Sequence, residues 1–544
     1  MSGKNTTDGW DVKIREAKDF KREHSPNWKQ MQKYWGQVPP EPPVSQKNRS
    51  NLVVPLTHPI IETMKAHIMA QINGDNITTT AEIVGNKDEP AVKELNIYLQ
   101  DLFEYFYGKP ETFMFDSNVI GDALIYGNCM AKITPPVNPI DIANRELIHI
   151  WDALWQPVAP TWDKVDWAGH EKIVPDSHFM AHKDVYDQKK VKEGMNERNI
   201  AWDIRFRSQS VKGNIITEIW DRENNELITL LNYSTIIRKE KMPCKFPYVM
   251  AQDIPESNRI IAMGEAELMQ YQQITANVFR NLRVDNGKAI GMNYWYFNPA
   301  LVDARALVNS EPGGVVTGTL PEHIPQPIVT PDASRNLEFD QRAFWDECQR
   351  DTGIFDALRG QSVSKRQSGR EVEALLANAN IRLWMKIRIL ESTYLLPGSN
   401  LILDIVSNSK STKLFEDITG RPSKSEVTPA SLKPLLKKVR VQSKASGDVL
   451  NDRQKRELIA EAIGLMVTIV PKERLNEEGI LELLIETYRK VPQMKKIIME
   501  KSEEMDGLDL DALKEIYMAG QTPPSILGGG GAISPLSFIQ EGAG

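Results

Sequence analysis

The stretch from Gly264 to about Asp285, GEAELMQYQQITANVFRNLRVD, most restricts what this chain can fold into. Leu268, Tyr271, Thr275, Val278 and Leu282 recur at three and four, the period of one helix face, while Gln270, Gln273, Asn277 and Arg280 occupy other faces. A core helix of a monomer needs an apolar stripe at least ~100° wide. This one is too thin for that role. It suits a long helix that packs against neighbours of its own kind.

At 544 residues the chain has room for about three to five structural units. It is 41% hydrophobic and 26% charged, which excludes a disordered chain, a collagen-like fibre and a small disulfide scaffold. With a net charge of −7, no global positive field draws it to DNA or to anionic membranes, so a nucleic-acid role needs a local basic surface. Cys129, Cys244 and Cys348 lie far apart and form no CxxC pair, which fits a reducing compartment without structural zinc. Apolar runs such as Leu52–Leu56 and Ala462–Val467 fall far short of the ~18 residues of a membrane helix. The opening MSGKNTTDGWDVK is polar and has no apolar leader core. The expectation is a soluble protein made inside a cell, without membrane contact.

Enzyme chemistry finds little support. Gly108-Lys109-Pro110 and Gly287-Lys288-Ala289 are the closest approaches to a phosphate loop, but neither is followed by Ser or Thr and neither has the upstream glycine. Gly-x-Ser-x-Gly and His-Glu-x-x-His are absent. His178 and His182 have helical spacing, but DSHFMAHKDVYD after Pro175 reads as a strand or loop entering a short helix, where that spacing means little. Asp152, Asp163, Asp166 and Glu171 resemble the acids with which metal-dependent nucleases hold two divalent ions. They interleave with Trp151, Trp155, Trp162 and Trp167, and with Pro157 and Pro160, a pattern of turns and half-buried strands with acids as solvated caps. The expectation is no enzyme, no metal and no cofactor. A nuclease built on those four acids is the enzyme alternative.

Residues 1–50 read as a polar, partly helical arm, with Pro39-Pro40-Glu41-Pro42-Pro43 as an extended linker. Helices are expected at about Pro59–Ile72 and Glu89–Tyr107, then a helix-to-strand unit over Asp116–Thr134 where Gly121 and Gly127 mark tight packing or turns. Residues 145–250 are β-rich, so the fold class is α+β. After the long polar helix come strand and turn over 287–333 and a helix from Arg335 to about Asp351. Ser368 and Glu371 form a capping box that opens a long helix, whose face Val372, Leu376, Ala379, Leu383, Ile387, Leu390 and Tyr394 runs to a stop at Pro397-Gly398. A strand over Lys438–Gln442 and helices from Asp452 to Tyr517 follow, and the Gly-rich tail is expected to be disordered.

Three passages in this order resemble the portal (head–tail connector) proteins of tailed bacteriophages. The first, from Met263-Gly264-Glu265 through Gln270 and Asn277 to Asp285-Asn286, is similar to the helix that opens the portal stem. The second runs from Thr352-Gly353-Ile354 through Gly360 and Gln367-Ser368-Gly369-Arg370-Glu371 to Ile381-Arg382, and is similar to the tunnel loop and long wing helix. The third, Val439-Arg440-Val441-Gln442-Ser443-Lys444 to Arg453, is similar to the strand and turn before the terminal helices. The likeness covers roughly residues 50–520 in element order.

The resemblance implies a portal-like fold with wing, two-helix stem, clip and helical crown. Its boundaries on this chain would be arm 1–50, wing 51–259, first stem helix 260–286, clip 287–334, second stem helix 335–352, tunnel loop 353–369, wing again 370–447, crown 448–518 and tail 519–544. It implies a homo-oligomeric ring, usually of twelve, at one vertex of the virion capsid, assembled in the host cytoplasm. That ring is the channel for genome packaging and ejection. It implies partners too: double-stranded DNA bound without sequence readout, a terminase that docks on the clip and carries the ATPase, major capsid and scaffolding proteins, then tail adaptors. An acidic chain suits such a channel, since a densely basic lining would hold sliding phosphates too tightly.

The DNA-channel candidates are Arg359, Lys365, Arg366 and Arg370, a locally basic group opposed inside the loop only by Asp356. Arg359 and Arg370 serve equally well as intersubunit salt-bridge partners. Tyr294, Trp295 and Tyr296 in the clip are candidates for a partner-binding aromatic patch, or for a buried strand at a subunit interface. A collar or minor capsid protein is a further structural alternative.

Overall fold

The computed structural model describes residues 8–40, 49–72, 79–83, 90–136, 141–195, 200–203, 209–291, 294–296, 326–328, 331–332, 334–353, 382–408, 433–434 and 438–443. The chain divides after Gly447 into two units, and every described residue belongs to the first. The expected crown and tail, most of the clip, the tunnel loop after Gly353 and the start of the long wing helix lie outside the described residues.

The N-terminal segment is no free arm. Helix α1 (Trp10–Trp35) buries Trp10, Ile14, Ala17, Lys21, Trp28, Met31 and Tyr34 along one face. Its first half packs on the sheet residues Leu154, Trp167, Ile219, Ile228 and Leu230. Its second half enters the main core beside Ile60, Ile61 and Met64. Lys21 crosses between them, its Nζ donating to the carbonyls of Trp151 (2.7 Å) and Ala153 (2.6 Å). Burial lowers its pKa to about 8. Polar composition hid this face because single apolar residues at helical spacing, not runs, form it.

Next come α2 (Thr57–Ile72), β1 (Thr79–Ile83), α3 (Pro90–Tyr107), α4 (Pro110–Tyr126) and β2 (Asn128–Thr134). Of these, α2, α3 and β2 lie close to the expected positions, α4 starts six residues before the expected Asp116, and β1 is an addition. Pro110 sits in the first turn of α4, where its fixed φ and missing N–H cost nothing. Gly127 ends that helix in the left-handed region (φ 84°), its N–H donating to the Ala123 carbonyl at 2.8 Å. A Cβ there would lie 1.9 Å from the Ala262 carbonyl oxygen, so the turn and the close approach both demand glycine. Gly121, by contrast, has only Lys65 Cδ at 3.4 Å, an ordinary contact.

The β-rich region holds β3 (Asn144–Ile148), β4 (Ala153–Trp155), β5 (Trp167–Val174), α5 (Asp176–Ala181), α6 (Gln188–Met195), β6 (Ile200–Asp203), β7 (Gln209–Lys212), β8 (Asn214–Asp221), β9 (Glu226–Leu231), β10 (Thr235–Lys241) and β11 (Tyr248–Gln252). An antiparallel five-stranded sheet runs β10-β9-β8-β5-β4, and a three-stranded one β11-β2-β3. The later elements are α7 (Glu265–Leu268), α8 (Gln270–Gly291), β12 (Tyr294–Tyr296), β13 (Gln326–Ile328), α9 (Ser334–Thr352), helix α10 over residues 382–408, and β14 (Val439–Ser443). β14 pairs antiparallel with β1, Val439 opposite Ile83. The described residues are mixed helix and sheet, as expected.

The helices differ from expectation at three places. The helix expected to run unbroken from Gly264 is split at Met269 into α7 and α8. α8 continues to Gly291, so the first residues assigned to the clip are helical. Pro397-Gly398 does not stop α10, which continues to Asn408 after a π-helical turn at Glu391–Leu395. Proline removes a donor and crowds the carbonyl four residues back. The wider π turn just before it absorbs that crowding. The Ser392 and Thr393 hydroxyls donate to the Ile389 carbonyl, each at 2.8 Å. Gly398 is a packing residue, with Ile133 Cδ1 3.3 Å from the place of its missing Cβ.

Gly127→Ala is expected to destabilise the protein by about 2–4 kcal/mol, the sum of a left-handed backbone and an overpacked contact. Gly121→Ala, inside α4, should be neutral or stabilising by up to about 1 kcal/mol. Urea titrations of the two variants check the contrast.

Candidate functional site

Helices α8 and α9 pack side by side, with Phe279 stacked on Phe344 (centroids 5.3 Å apart) and Gln272 Nε2 donating to Asp351 Oδ2 at 2.6 Å. The face of α8 turned toward the body is polar. Gln273, Asn277, Asn281 and Asp285 follow one another at four-residue steps, and each meets the backbone of the extended segment leading into α2. Asp285 Oδ1 accepts from the Ser50 N–H (2.9 Å), Asn281 Oδ1 from Leu52 (2.7 Å) and Asn277 Oδ1 from Val54 (2.8 Å). The carbonyls of the same stretch are answered in turn, Leu52 by Asn281 Nδ2 at 3.1 Å and Val54 by Gln273 Nε2 at 2.7 Å. Gln273 Oε1 accepts from both the N–H (3.2 Å) and the hydroxyl (3.0 Å) of Thr57, where α2 begins.

The ladder works because two periods match. Four helical residues rise about 6 Å, and two extended residues span about 6.6 Å. Gln273 and Asn277 are buried, yet the Gln273 amide both donates and accepts, and Asn277 Oδ1 accepts from the Val54 N–H and from Gln273 Nε2 (3.0 Å). Asp285 resists the burial that would raise its pKa, and the Ser50 hydroxyl and N–H, with Lys288, hold its carboxyl below the usual range.

With polar residues inward, the apolar stripe is left outward. Tyr271 is 78% exposed, Val278 49% and Leu282 44%, with Leu268 and Ile274 also open to solvent. Thr275 between them spends its hydroxyl on the Tyr271 carbonyl (2.8 Å). From Tyr271 to Leu282 the stripe runs about 16 Å along the helix. The thin stripe foreseen in the sequence is thus a surface feature of the single chain, while the residues set aside as other faces supply the anchor. The Gln-Asn-Asn-Asp repeat at four-residue steps is the sequence signal for that anchor.

The sequence-derived candidates fall as follows. Arg359, Lys365, Arg366 and Arg370 lie outside the described residues. Their flanks are held together: Gly353, left-handed at φ 73°, ends α9 by donating to the Gln349 carbonyl at 2.8 Å, and Arg382 Nη1 donates to the carbonyls of Arg350 (2.5 Å) and Asp351 (2.8 Å). Cations suit such a helix end. Tyr294, Trp295 and Tyr296 form β12, in register with Ile328, Pro327 and Gln326, and their side chains lie outside the described residues.

The four acids of the nuclease alternative do not converge. Glu171 is paired with Lys18 at 2.7 Å, Asp166 Oδ2 accepts from Gln156 at 3.0 Å, and the Asp163 carbonyl accepts from Arg222 at 2.7 Å. The Asp152 carbonyl accepts from the Glu171 N–H at 3.0 Å. Among the described residues no group of three or more His, Cys, Asp or Glu is placed to hold a metal ion. His178 and His182 do meet, ring centroids 4.3 Å apart at the end of short α5, with Tyr186 beside them.

Asn277→Ala leaves the Val54 N–H without its acceptor and should cost about 1–3 kcal/mol. Tyr271→Ala, on the open stripe, should stay within about 0.5 kcal/mol for the monomeric chain. Chemical denaturation at low protein concentration distinguishes the two. No protein-family model and no curated protein matches this sequence.

Proposed function

We propose that this chain is the repeating subunit of a portal ring, the head–tail connector of a tailed bacteriophage. Its role is structural and DNA-conducting rather than enzymatic. The observation that carries the reading is the reversed amphipathicity of α8: its polar face is locked to its own chain and its apolar stripe is left for another. A ring joined head to tail needs two different faces per subunit, and a stripe on one stiff helix supplies one of them. Covering a stripe side chain is worth about 1.5–3 kcal/mol if its burial is complete.

In this reading α8 and α9 form the stem. Arg359, Lys365, Arg366 and Arg370 belong in or beside the tunnel loop at 353–369, where one set per subunit makes a ring of cations that touches phosphates without reading bases. Terminase docks on the clip around Tyr294, Trp295 and Tyr296 and is later replaced by tail adaptors. Capsid and scaffolding proteins surround the wing at a single vertex of the virion.

Native mass by light scattering, with negative-stain images of the same peak, tests the assembly. Rings of about a dozen subunits with a central hole are expected, and Tyr271→Glu with Val278→Glu should weaken assembly by at least about tenfold. A monomer at every concentration and salt overturns the proposal, and closed assemblies without a DNA-wide bore point instead to a collar or minor capsid protein. Lys365→Glu with Arg366→Glu should leave the ring intact and impair packaging or retention of DNA. Unimpaired packaging removes those two residues from the mechanism.

A further inference from the structure

Away from the helix pair, two carboxylates twelve residues apart in the chain meet a lysine more than a hundred residues further on. Asp253 follows β11, Glu265 opens α7, and Lys386 lies in α10. Lys386 Nζ is 2.5 Å from Asp253 Oδ1 and 2.7 Å from Glu265 Oε2, and the three side chains are 12%, 2% and 1% exposed. The backbone around them is close-set. The Asp253 N–H donates to the Gly127 carbonyl at 3.1 Å, and a Cβ on Gly264 would stand 2.7 Å from the Gly127 nitrogen. Water has little access to this place.

Charge balance makes the trio informative. Two carboxylates and one ammonium carry a net negative charge, and an uncompensated charge is costly at such burial. Asp253 Oδ2 is buried and has no hydrogen-bond partner among the described residues. Lys386 and Glu265 are the charges that face Asp253, and Asp253 and Glu265 those that face Lys386. The other charges nearby on α10 are engaged elsewhere, Arg388 with Glu391 at 3.2 Å and Arg382 with the end of α9.

We infer that Asp253 keeps a proton in the docked state, so that the trio is a proton-linked latch fastening α10 to the body of the protein. This inference stands independently of the portal reading. Burial pushes the Asp253 carboxyl up to about 7, opposed by Lys386 and by the Glu265 backbone N–H, and reinforced by the Glu265 carboxylate. Lys386 remains charged, since its two carboxylate partners outweigh the burial that would neutralise it. Once α10 lifts away, Asp253 returns toward its ordinary value near 3.8 and releases the proton. A carboxyl raised in the docked state favours docking at low pH. Docking is therefore tightest below about pH 4, weakens as the pH rises toward 7, and changes little beyond.

Hydrogen exchange of the full chain between pH 5 and 7 tests this, with rates corrected for intrinsic chemistry. Peptides from residues 386–408 report the latch, and peptides from β8 and β9 serve as the reference. Protection of α10 should fall about tenfold per pH unit in the wild type, one proton being released on opening, while the sheet changes less. Asp253→Asn should abolish that slope, and Glu265→Gln should flatten it as well, because either leaves a neutral trio without a bound proton. A flat wild-type profile, an unchanged slope in Asp253→Asn, or equal slopes in α10 and the sheet would each overturn the latch. Should Asp253→Asn fail to fold, Glu265→Gln decides the same question.

Discussion

The arrangement depends most on the hydrogen-bonded seam between α8 and the segment that enters α2. Residues 50–54 are extended but join no sheet, so their N–H and C=O groups have no strand to satisfy them. Side chains of α8 do that work at a spacing that matches the extended backbone. The seam ties sequence positions more than two hundred residues apart and fixes the rotation of α8 about its axis. Once Gln273 and Asn277 face inward, Tyr271 and Val278 must face outward, whatever their hydrophobicity favours.

Burial of polar groups recurs elsewhere in the core, each time with partners supplied. Asp116 accepts from Arg145 Nη1 (3.2 Å) and from the Tyr394 hydroxyl (2.6 Å), and the Arg145 guanidinium lies over both Phe106 and Phe115. Tyr394 belongs to the π turn of α10, so the irregular turn also aims a hydroxyl at a buried carboxylate. In the five-stranded sheet Glu218 lies 2.5 Å from Lys132 Nζ, which joins that sheet to the smaller one. Burial alone would raise the Glu218 carboxyl, but Lys132 and His170 pull it down to about 2. Such networks fix geometry more than they add net stability.

Some of this was legible in the residues. The α3 and α4 helices, β2, the β-rich middle and α9 follow from periodicity and turn residues, and Gly127, between helix and strand, is both a turn and a tightly packed position. Other signals misled. Pro397-Gly398 has the composition of a helix stop, but a π turn and two hydroxyl hydrogen bonds carry the helix through it. The four acids among the tryptophans looked like a ligand set only along the chain, since among the described residues no three such side chains come together to hold a metal ion. The Lys386 trio had no sequence signature, because Lys386 is more than a hundred residues from the two carboxylates it joins.

The sequence by itself determined the periodic elements, the absence of familiar nucleotide-binding and hydrolase motifs, and an α8 stripe too thin for a core. Those are local properties, set by side-chain spacing and backbone propensity within a few turns. Tertiary structure alone decided which face of α8 is anchored, how α10 passes its proline, and which carboxylates share one ammonium. These depend on groups far apart in the chain meeting at hydrogen-bond distance, where the cost of leaving a buried polar group unpaired outweighs any local preference.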